Sequence, residues 1–197
     1  LHDFTALSFD GVDDYVEVPD SASLDITDTL TIELWLYATA EYVGYAANPI
    51  LKQTGTADSN FNLYYFGTTA SDGNRNIGFY ANAGGVWKPI SGKYMISLNT
   101  WYHVALSYSS ASGGQLYING VPIGGLTGSG TLAINSAPLI IGSRFPGLIT
   151  EVRIWNVART AQQIADWKDR TLSGDEPGLV GYWRAQETWK LTPETNT

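Results

Sequence analysis

The feature that most constrains this fold is a succession of short β-rich runs, separated by turn residues along the whole chain. Residues 31–37 alternate Ile32, Leu34 and Leu36 with Thr, Glu, Trp and Tyr, which is the period-two pattern of a strand. Similar runs occur at 6–9, 15–18, 61–66, 77–80, 101–108, 115–118, 139–141, 148–155 and 179–183. Strands at this spacing predict an all-β fold, an antiparallel β-sandwich of two packed sheets.

Two local signals define individual elements. Asn119 and Gly120 separate two apolar runs, and both residue types accept the positive φ of a type I′ turn, so we predict a tight hairpin there. Thr160 and Gln163 stand at capping-box spacing, and Ile164 supplies an apolar residue on the same segment. These residues predict one short C-terminal helix that packs against the sandwich.

Composition excludes several classes of function. The formal net charge is −8 and no Lys/Arg cluster is present, so a nucleic-acid partner is not expected. There is no Cys, which rules out disulfides and thiolate metal sites. The apolar runs are also much shorter than the roughly 20 residues of a membrane span. We therefore expect a single globular domain, monomeric and without a membrane span.

Four ordered blocks carry a resemblance to a known family. They are residues 6–18 (ALSFDGVDDYVEV), 31–35 (TIELW), 99–105 (NTWYHVA) and 147–156 (GLITEVRIWN). Together they resemble the laminin-G-like, concanavalin A-like jelly-roll domains, especially the bacterial type found on large secreted or cell-surface proteins. The resemblance implies a jelly roll over 1–185, with 186–197 as a C-terminal tail or a linker to a following module.

The same fold hosts glycoside hydrolases, which need two acids held close together. Here Glu17, Glu33 and Glu151 each stand without a second acid on their strand, and His103 within its β-rich run reads as a structural histidine. We therefore predict that the chain is not an enzyme. A hydrolase or lyase whose acids come from different strands is the less favoured alternative.

One turn suggests a metal. Asp10, Asp13 and Asp14 place three carboxylates within five residues, a donor set that suits calcium. The resemblance implies that an acid following Ile149 approaches this turn, but that position is Thr150 here. Glu151 is therefore taken as the fourth ligand of a structural calcium, with backbone carbonyls of the turn as the alternative. The alternative is a solvated turn whose carboxylates bind backbone amides.

Aromatic residues make up 13% of the chain, and sugars stack their apolar faces on such rings. The tryptophans of the shared blocks, Trp35, Trp101, Trp155 and Trp183, are assigned to the core or to the contact with the helix. Outside those blocks, the predicted ligand-binding residues are Tyr42, Tyr45, Tyr64, Trp87, Tyr94 and Arg144.

The sequence thus predicts a non-catalytic carbohydrate-binding or adhesive module of a larger secreted or cell-surface protein, stabilised by calcium. Its expected partner is a polysaccharide or another glycan. A protein-interaction or spacer domain is the alternative, because laminin-G-like domains also bind proteins.

Overall fold

A computed structural model describes residues 5–42, 44, 46–53, 59–66, 76–125 and 129–185. For residues 46, 59, 60, 62–66, 76, 87 and 90–93 it describes the backbone but not the side chain. Tyr45 and the expected tail, 186–197, lie outside the described residues.

The described residues form thirteen strands, one 3-10 turn and one α-helix. The strands are β1 (Leu7–Asp10), β2 (Val16–Val18), β3 (Thr29–Ala38), β4 (Ala46–Gln53), β5 (Ser59–Phe66), β6 (Asn76–Ala83), β7 (Val86–Met95), β8 (Trp101–Ser109), β9 (Gly113–Ile118), β10 (Val121–Gly125), β11 (Leu139–Ser143), β12 (Pro146–Trp155) and β13 (Leu179–Trp183). The 3-10 turn is Ala22–Leu24 and the helix, α1, is Ala161–Trp167.

The strands are arranged in two sheets, which confirms the predicted β-sandwich. The front sheet has the order β1-β12-β3-β8-β9-β10, and β13 also pairs with β12. The back sheet has the order β2-β11-β4-β5-β6-β7. Every strand pair is antiparallel.

The core lies between the two inner faces. On β3, Leu30, Ile32, Leu34 and Leu36 are all less than 2% exposed and belong to this core. The residues between them, such as Glu33, point to the outer face of the front sheet. This alternation is the one that the sequence of the strand predicts.

Part of the outer face of the front sheet is covered by α1 and the chain on either side of it, residues 156–178, which we call the clasp. Thr160 and Gln163 form the predicted capping box at the start of α1. Ile164 packs on Ala105 and Tyr117 of the sheet. The helix is too short to be stable alone, so this packing holds it in place.

The predicted hairpin is confirmed, and it also contacts the clasp. Asn119 has a φ of 53° and Gly120 a φ of 80°, as a type I′ turn requires. A Cβ at Gly120 would lie 3.1 Å from Ala165 of α1. Glycine therefore serves both the turn and the close approach of the helix.

Strand β12 is the best-connected strand of the front sheet, because it pairs with β1, β3 and β13. Its register against β3 shifts between Thr150 and Arg153, and Glu151 in this bulge has a φ of 54°. A bulge of this kind redirects side chains. The bulge therefore determines where the carboxylate of Glu151, a predicted calcium ligand, points.

Candidate functional site

The acidic turn after β1 brings three carboxylates together. One oxygen from each of Asp10, Asp13 and Asp14 lies within 4.8 Å of the others, and all three residues are exposed. Asp10 Oδ1 accepts hydrogen bonds from Val12 N at 2.7 Å and Asp13 N at 3.4 Å. Asp14 Oδ2 accepts one from Asp10 N at 3.0 Å. The backbone thus fixes the turn while leaving carboxylate oxygens exposed.

The donor set of this turn fits a hard cation. Among the described residues, Asp10 Oδ2, Asp14 Oδ1 and both oxygens of Asp13 accept no hydrogen bond. Calcium prefers six to eight oxygen ligands, which carboxylates, backbone carbonyls and water supply together. These four oxygens would provide part of such a shell.

Several loops meet beside the acidic turn, at what we call the acid-turn end of the sandwich. Asp10 pairs with Pro146, and a Cβ at Gly11 would lie 2.9 Å from Pro146 Cβ. Thr39 N donates to Pro146 O at 3.0 Å, and Asn99 N donates to Ala38 O at 2.8 Å. The turn is therefore fixed to the loops that follow β3, β7 and β11.

Three of the predicted ligand-binding residues lie at this end. Arg144 is exposed, has a φ of 55° and sits in the tight turn before Pro146. Tyr42 and Tyr94 are partly buried and pack against the core. The ring of Tyr94 also meets that of Tyr102 edge to face, with 6.0 Å between the ring centroids. Arg144 is thus the most accessible of the three.

For the remaining predicted aromatic residues, the structure describes at most the backbone. The backbone of Trp87 pairs with Asn82 beside the turn at Gly84 and Gly85, which belongs to the opposite end of the sandwich. Tyr64 pairs with Gly78 within the back sheet. The side chains of Tyr64 and Trp87, and all of Tyr45, lie outside the described residues.

Glu151 does not lie near the acidic turn. Asp10 stands opposite Pro146, and Glu151 is five residues further along β12, about 16 Å at the rise of a strand. The bulge instead directs its carboxylate toward Arg153 Nη2, at 2.9 Å, and the hydroxyl of Tyr182, at 2.6 Å. Burial, together with the hydrogen bond to Glu151, raises the pKa of Tyr182. The structure therefore places Glu151 in a buried ion pair beneath the clasp.

A second buried acid lies nearby. The carboxylate of Glu33 is 3.3 Å from His103 Nε2, 3.5 Å from Arg159 Nε and 3.8 Å from Arg153 Nη1. Glu33, His103 and Arg153 are at most 1% exposed. Burial lowers the pKa of His103, although contact with Glu33 opposes this effect. Burial therefore shields these three side chains from solvent.

The buried charges hold the clasp. Arg153 donates to Trp167 O at 3.0 Å and also to Arg170 O, both in the chain at the end of α1. The guanidinium of Arg159 lies 3.9 Å from the ring centroid of Trp155 and 5.3 Å from that of Trp167. These contacts give the charged residues of the strands a structural role.

A cavity of about 610 Å³ opens between the sheets near β1, β2 and β13. Its lining is mainly apolar and includes Leu7, Val16 and Ile149. Two of its polar groups are already engaged, since Thr150 donates to Thr5 O and Tyr182 donates to Glu151. The cavity is thus mainly an apolar space, and its two most buried polar side chains already have partners within the protein.

The candidate residues chosen from the sequence do not include one partly exposed aromatic pair. Tyr37 and Trp101 are directly opposite on β3 and β8, on the outer face, and both are partly exposed. The shared sequence blocks predict a place in the core or the clasp for Trp101 instead. The sequence does carry a signal for this exposure. In the alternation of β8, Trp101 falls on the side that faces away from the core.

The two packed antiparallel sheets define the class of jelly-roll β-sandwiches. The chain belongs to the concanavalin A-like lectin/glucanases superfamily, whose Laminin_G_3 family matches residues 10–165. No curated protein matches the chain in sequence.

Solved structures share the fold at low sequence identity. A candidate carbohydrate-binding protein from Bacteroides ovatus is 21% identical, with a TM-score of 0.68 over 87% of this chain and 49% of its own. Domain 4 of AbnA, a GH43 extracellular arabinanase from Geobacillus stearothermophilus solved with arabinotriose, is 21% identical, with a TM-score of 0.63 over 82% of this chain and 75% of its own. A heptameric SAP-like pentraxin from Limulus polyphemus is 20% identical, with a TM-score of 0.52 over 80% and 82%. This chain thus spans about half the length of the Bacteroides protein.

Within the described part of the chain, no helix has the length and apolar character needed to span a membrane.

Proposed function

We propose that this chain is a non-catalytic carbohydrate-binding module of a secreted or cell-surface protein, and that it binds glycan at the acid-turn end. The observation that carries the proposal is the grouping of exposed Arg144, partly exposed Tyr42 and the Asp10–Asp14 carboxylates on loops of one end. Loops on a rigid sandwich commonly carry binding residues. Rings, a guanidinium and carboxylates together provide stacking and hydrogen bonds for a sugar.

The comparisons support the ligand class. The superfamily is described by its lectins and glucanases, and two of the similar solved structures are described as binding carbohydrate or were solved with an oligosaccharide. One of these is a domain of an extracellular enzyme, which is consistent with a module that works outside the cell. Which glycan binds is the question that the polysaccharide screen addresses.

We infer the lack of catalysis from the burial and ion pairing of the glutamates on the front sheet. Glu33 and Glu151, the acids on the long front strands, are both buried and paired with cations. A retaining glycosidase needs two carboxyl groups about 5 Å apart that reach the scissile bond. The exposed carboxylates of the acidic turn are instead the proposed ligands of a calcium ion that stabilises the rim.

The experiment is a screen of the chain against soluble polysaccharides by affinity gel, with calcium and with chelator. We expect retardation by at least one polysaccharide and no release of reducing ends. Arg144→Ala should weaken that retardation at least ten-fold, whereas Val86→Ser, a change at an exposed residue of the opposite end, should leave it unchanged. Retardation by no polysaccharide in either condition would overturn the proposal, and release of reducing ends would show an enzyme instead.

A further inference from the structure

An apolar strip crosses the outer face of the front sheet close to the acid-turn end. The strand register places Leu148 beside Tyr37 and Tyr37 beside Trp101, on β12, β3 and β8. Neighbouring strands lie about 4.8 Å apart, so the strip is about 10 Å long from Leu148 to Trp101. We call these three residues the Tyr37 platform.

The clasp stops short of this platform. Trp35, one step back along the same face of β3, is covered, since its Nε1 donates to Lys168 O at 2.9 Å and Lys168 Nζ lies 5.8 Å from its ring centroid. Tyr37 and Trp101 lie beyond this contact, and their ring centroids are 5.4 Å apart with an angle of 50° between the planes. Both rings keep part of their surface exposed.

Polar groups border the platform on two sides. Ser8 of β1 stands opposite Leu148, and Asp10 of the acidic turn follows on the same face of β1. On the other side, the clasp places the ion pair of Lys168 and Asp169 next to the covered Trp35. The platform is thus an aromatic floor with hydrogen-bonding groups at its margins.

This chemistry matches a glycan chain better than a single sugar. Ring faces take up the apolar C–H face of a pyranose or furanose, while charged and hydroxyl groups meet its hydroxyls. A floor about 10 Å long is longer than one sugar ring. It also leads directly from the acidic turn, so one chain would contact both surfaces.

We propose that the Tyr37 platform is a second binding surface, on which successive sugars of the glycan stack after leaving the acid-turn end. The inference rests on the proposed carbohydrate function and adds its ligand class, an oligosaccharide of several units. Affinity should therefore rise with chain length, and single sugars should bind weakly.

The test uses calorimetry with arabino-, xylo- and cello-oligosaccharides of increasing length. Trp101→Ala and Tyr37→Ala should each lower the affinity for the longest bound oligosaccharide at least ten-fold and reduce the dependence on length. Ile134→Ser, at an exposed residue of the opposite end, is the matched control and should bind as the wild type does. Circular dichroism and thermal unfolding verify the fold of each variant.

A wild-type measurement keeps the proposal testable if either variant fails to fold. The indole N–H resonance of Trp101 should shift when the wild-type chain is titrated with the bound oligosaccharide. Unchanged affinity in folded platform variants, or an unshifted Trp101 resonance, combined with loss of binding in Arg144→Ala would overturn the platform and leave the proposed function standing. Binding of the wild type to no oligosaccharide or polysaccharide would overturn the proposed function itself.

Discussion

The carboxylate of Glu33 and the imidazole of His103 face each other across β3 and β8, with 3.3 Å between Oε2 and Nε2 and at most 1% of either side chain exposed. Arg153 and Arg159 approach the same carboxylate from β12 and from the clasp. Glu33 is therefore an acid shared by both guanidinium groups, and Arg153 has a second, closer partner in Glu151.

Glu33→Gln should destabilise the fold by about 3 to 5 kcal/mol, because removing one partner leaves buried charge uncompensated. The measurement is urea unfolding followed by tryptophan fluorescence. Glu17→Gln, at an exposed glutamate of β2, is the control and should change stability by less than about 0.5 kcal/mol. A change of equal size in both variants would contradict the role assigned to Glu33.

Stability should fall as the pH drops below the ordinary histidine pKa of 6.5. Burial lowers the pKa of His103 in the folded state, so between the two pKa values the unfolded chain binds a proton that the folded chain does not. This contribution is complete above pH 6.5 and is lost toward lower pH. Glu33, Arg153 and Lys168 are the charged groups that act on this imidazole.

The measurement for His103 is the melting temperature of the wild type and His103→Gln from pH ~5 to pH ~8. Below pH 6.5, the melting temperature of the variant should fall less steeply than that of the wild type. This difference in slope is expected whether or not the variant is less stable at neutral pH. Parallel pH profiles would show that other groups cause the decline.

Gly120→Ala should destabilise the domain by more than Gly174→Ala. Both glycines have positive φ, 80° and 98°, and left-handed backbone costs a non-glycine residue about 1 to 2 kcal/mol. The added methyl meets Ala165 only at Gly120, while Gly174 has nothing within 4 Å. The difference in unfolding free energy between the variants isolates the contact between hairpin and helix; no difference would mean that α1 simply moves aside.

Lys52→Met should cost about 3 kcal/mol or more, since it leaves the buried carbonyl of Ala137 and the partly buried oxygens of Asp20 and Asn135 without their donor. Lys52 Nζ donates to Asp20 Oδ1 at 2.5 Å, Asn135 O at 2.7 Å and Ala137 O at 2.8 Å, and the residue is 0% exposed. Lys88→Met, which removes one exposed bond to Ser129 O, is the comparison and should cost much less. Thermal and urea unfolding of both variants provide the test.

Calcium should raise the melting temperature of the wild type, because a ligand that binds only the folded state stabilises it by about 2.7 kcal/mol at one hundred times its Kd. Asp13→Asn and Asp14→Asn should reduce this shift, whereas Asp166→Asn on α1 should keep it. If the wild type melts at the same temperature in calcium and in chelator, the turn does not bind calcium, and the solvated turn is the correct interpretation.

Strands with clean alternation were predictable from sequence, and two others were not. β4 contains Pro49 and the buried Lys52, and β7 contains Pro89 and Gly92, all residues that argue against a strand. Pairing with neighbours in the back sheet overrides these local preferences. The hairpin at Asn119 and the capped helix were predictable because their signals lie within a few residues.

The candidate site could be predicted only where its residues are close together in the sequence. Asp10, Asp13 and Asp14 lie close together in the sequence, so their grouping needs no knowledge of the fold. Glu151 was placed by resemblance, but the bulge turns it toward Arg153. The Tyr37 platform depends on the register of three strands and on where the clasp ends, which no local pattern encodes.

The central place of β12 also sets the order in which this fold can form. Leu7 pairs with Ile149 and Thr31 with Trp155, residues made about 140 and 120 positions later. During synthesis, β1 and β3 must therefore wait without this partner until Pro146–Trp155 has emerged. Such long-range pairing slows folding, so a refolding experiment should find the closure of the front sheet to be the slow step.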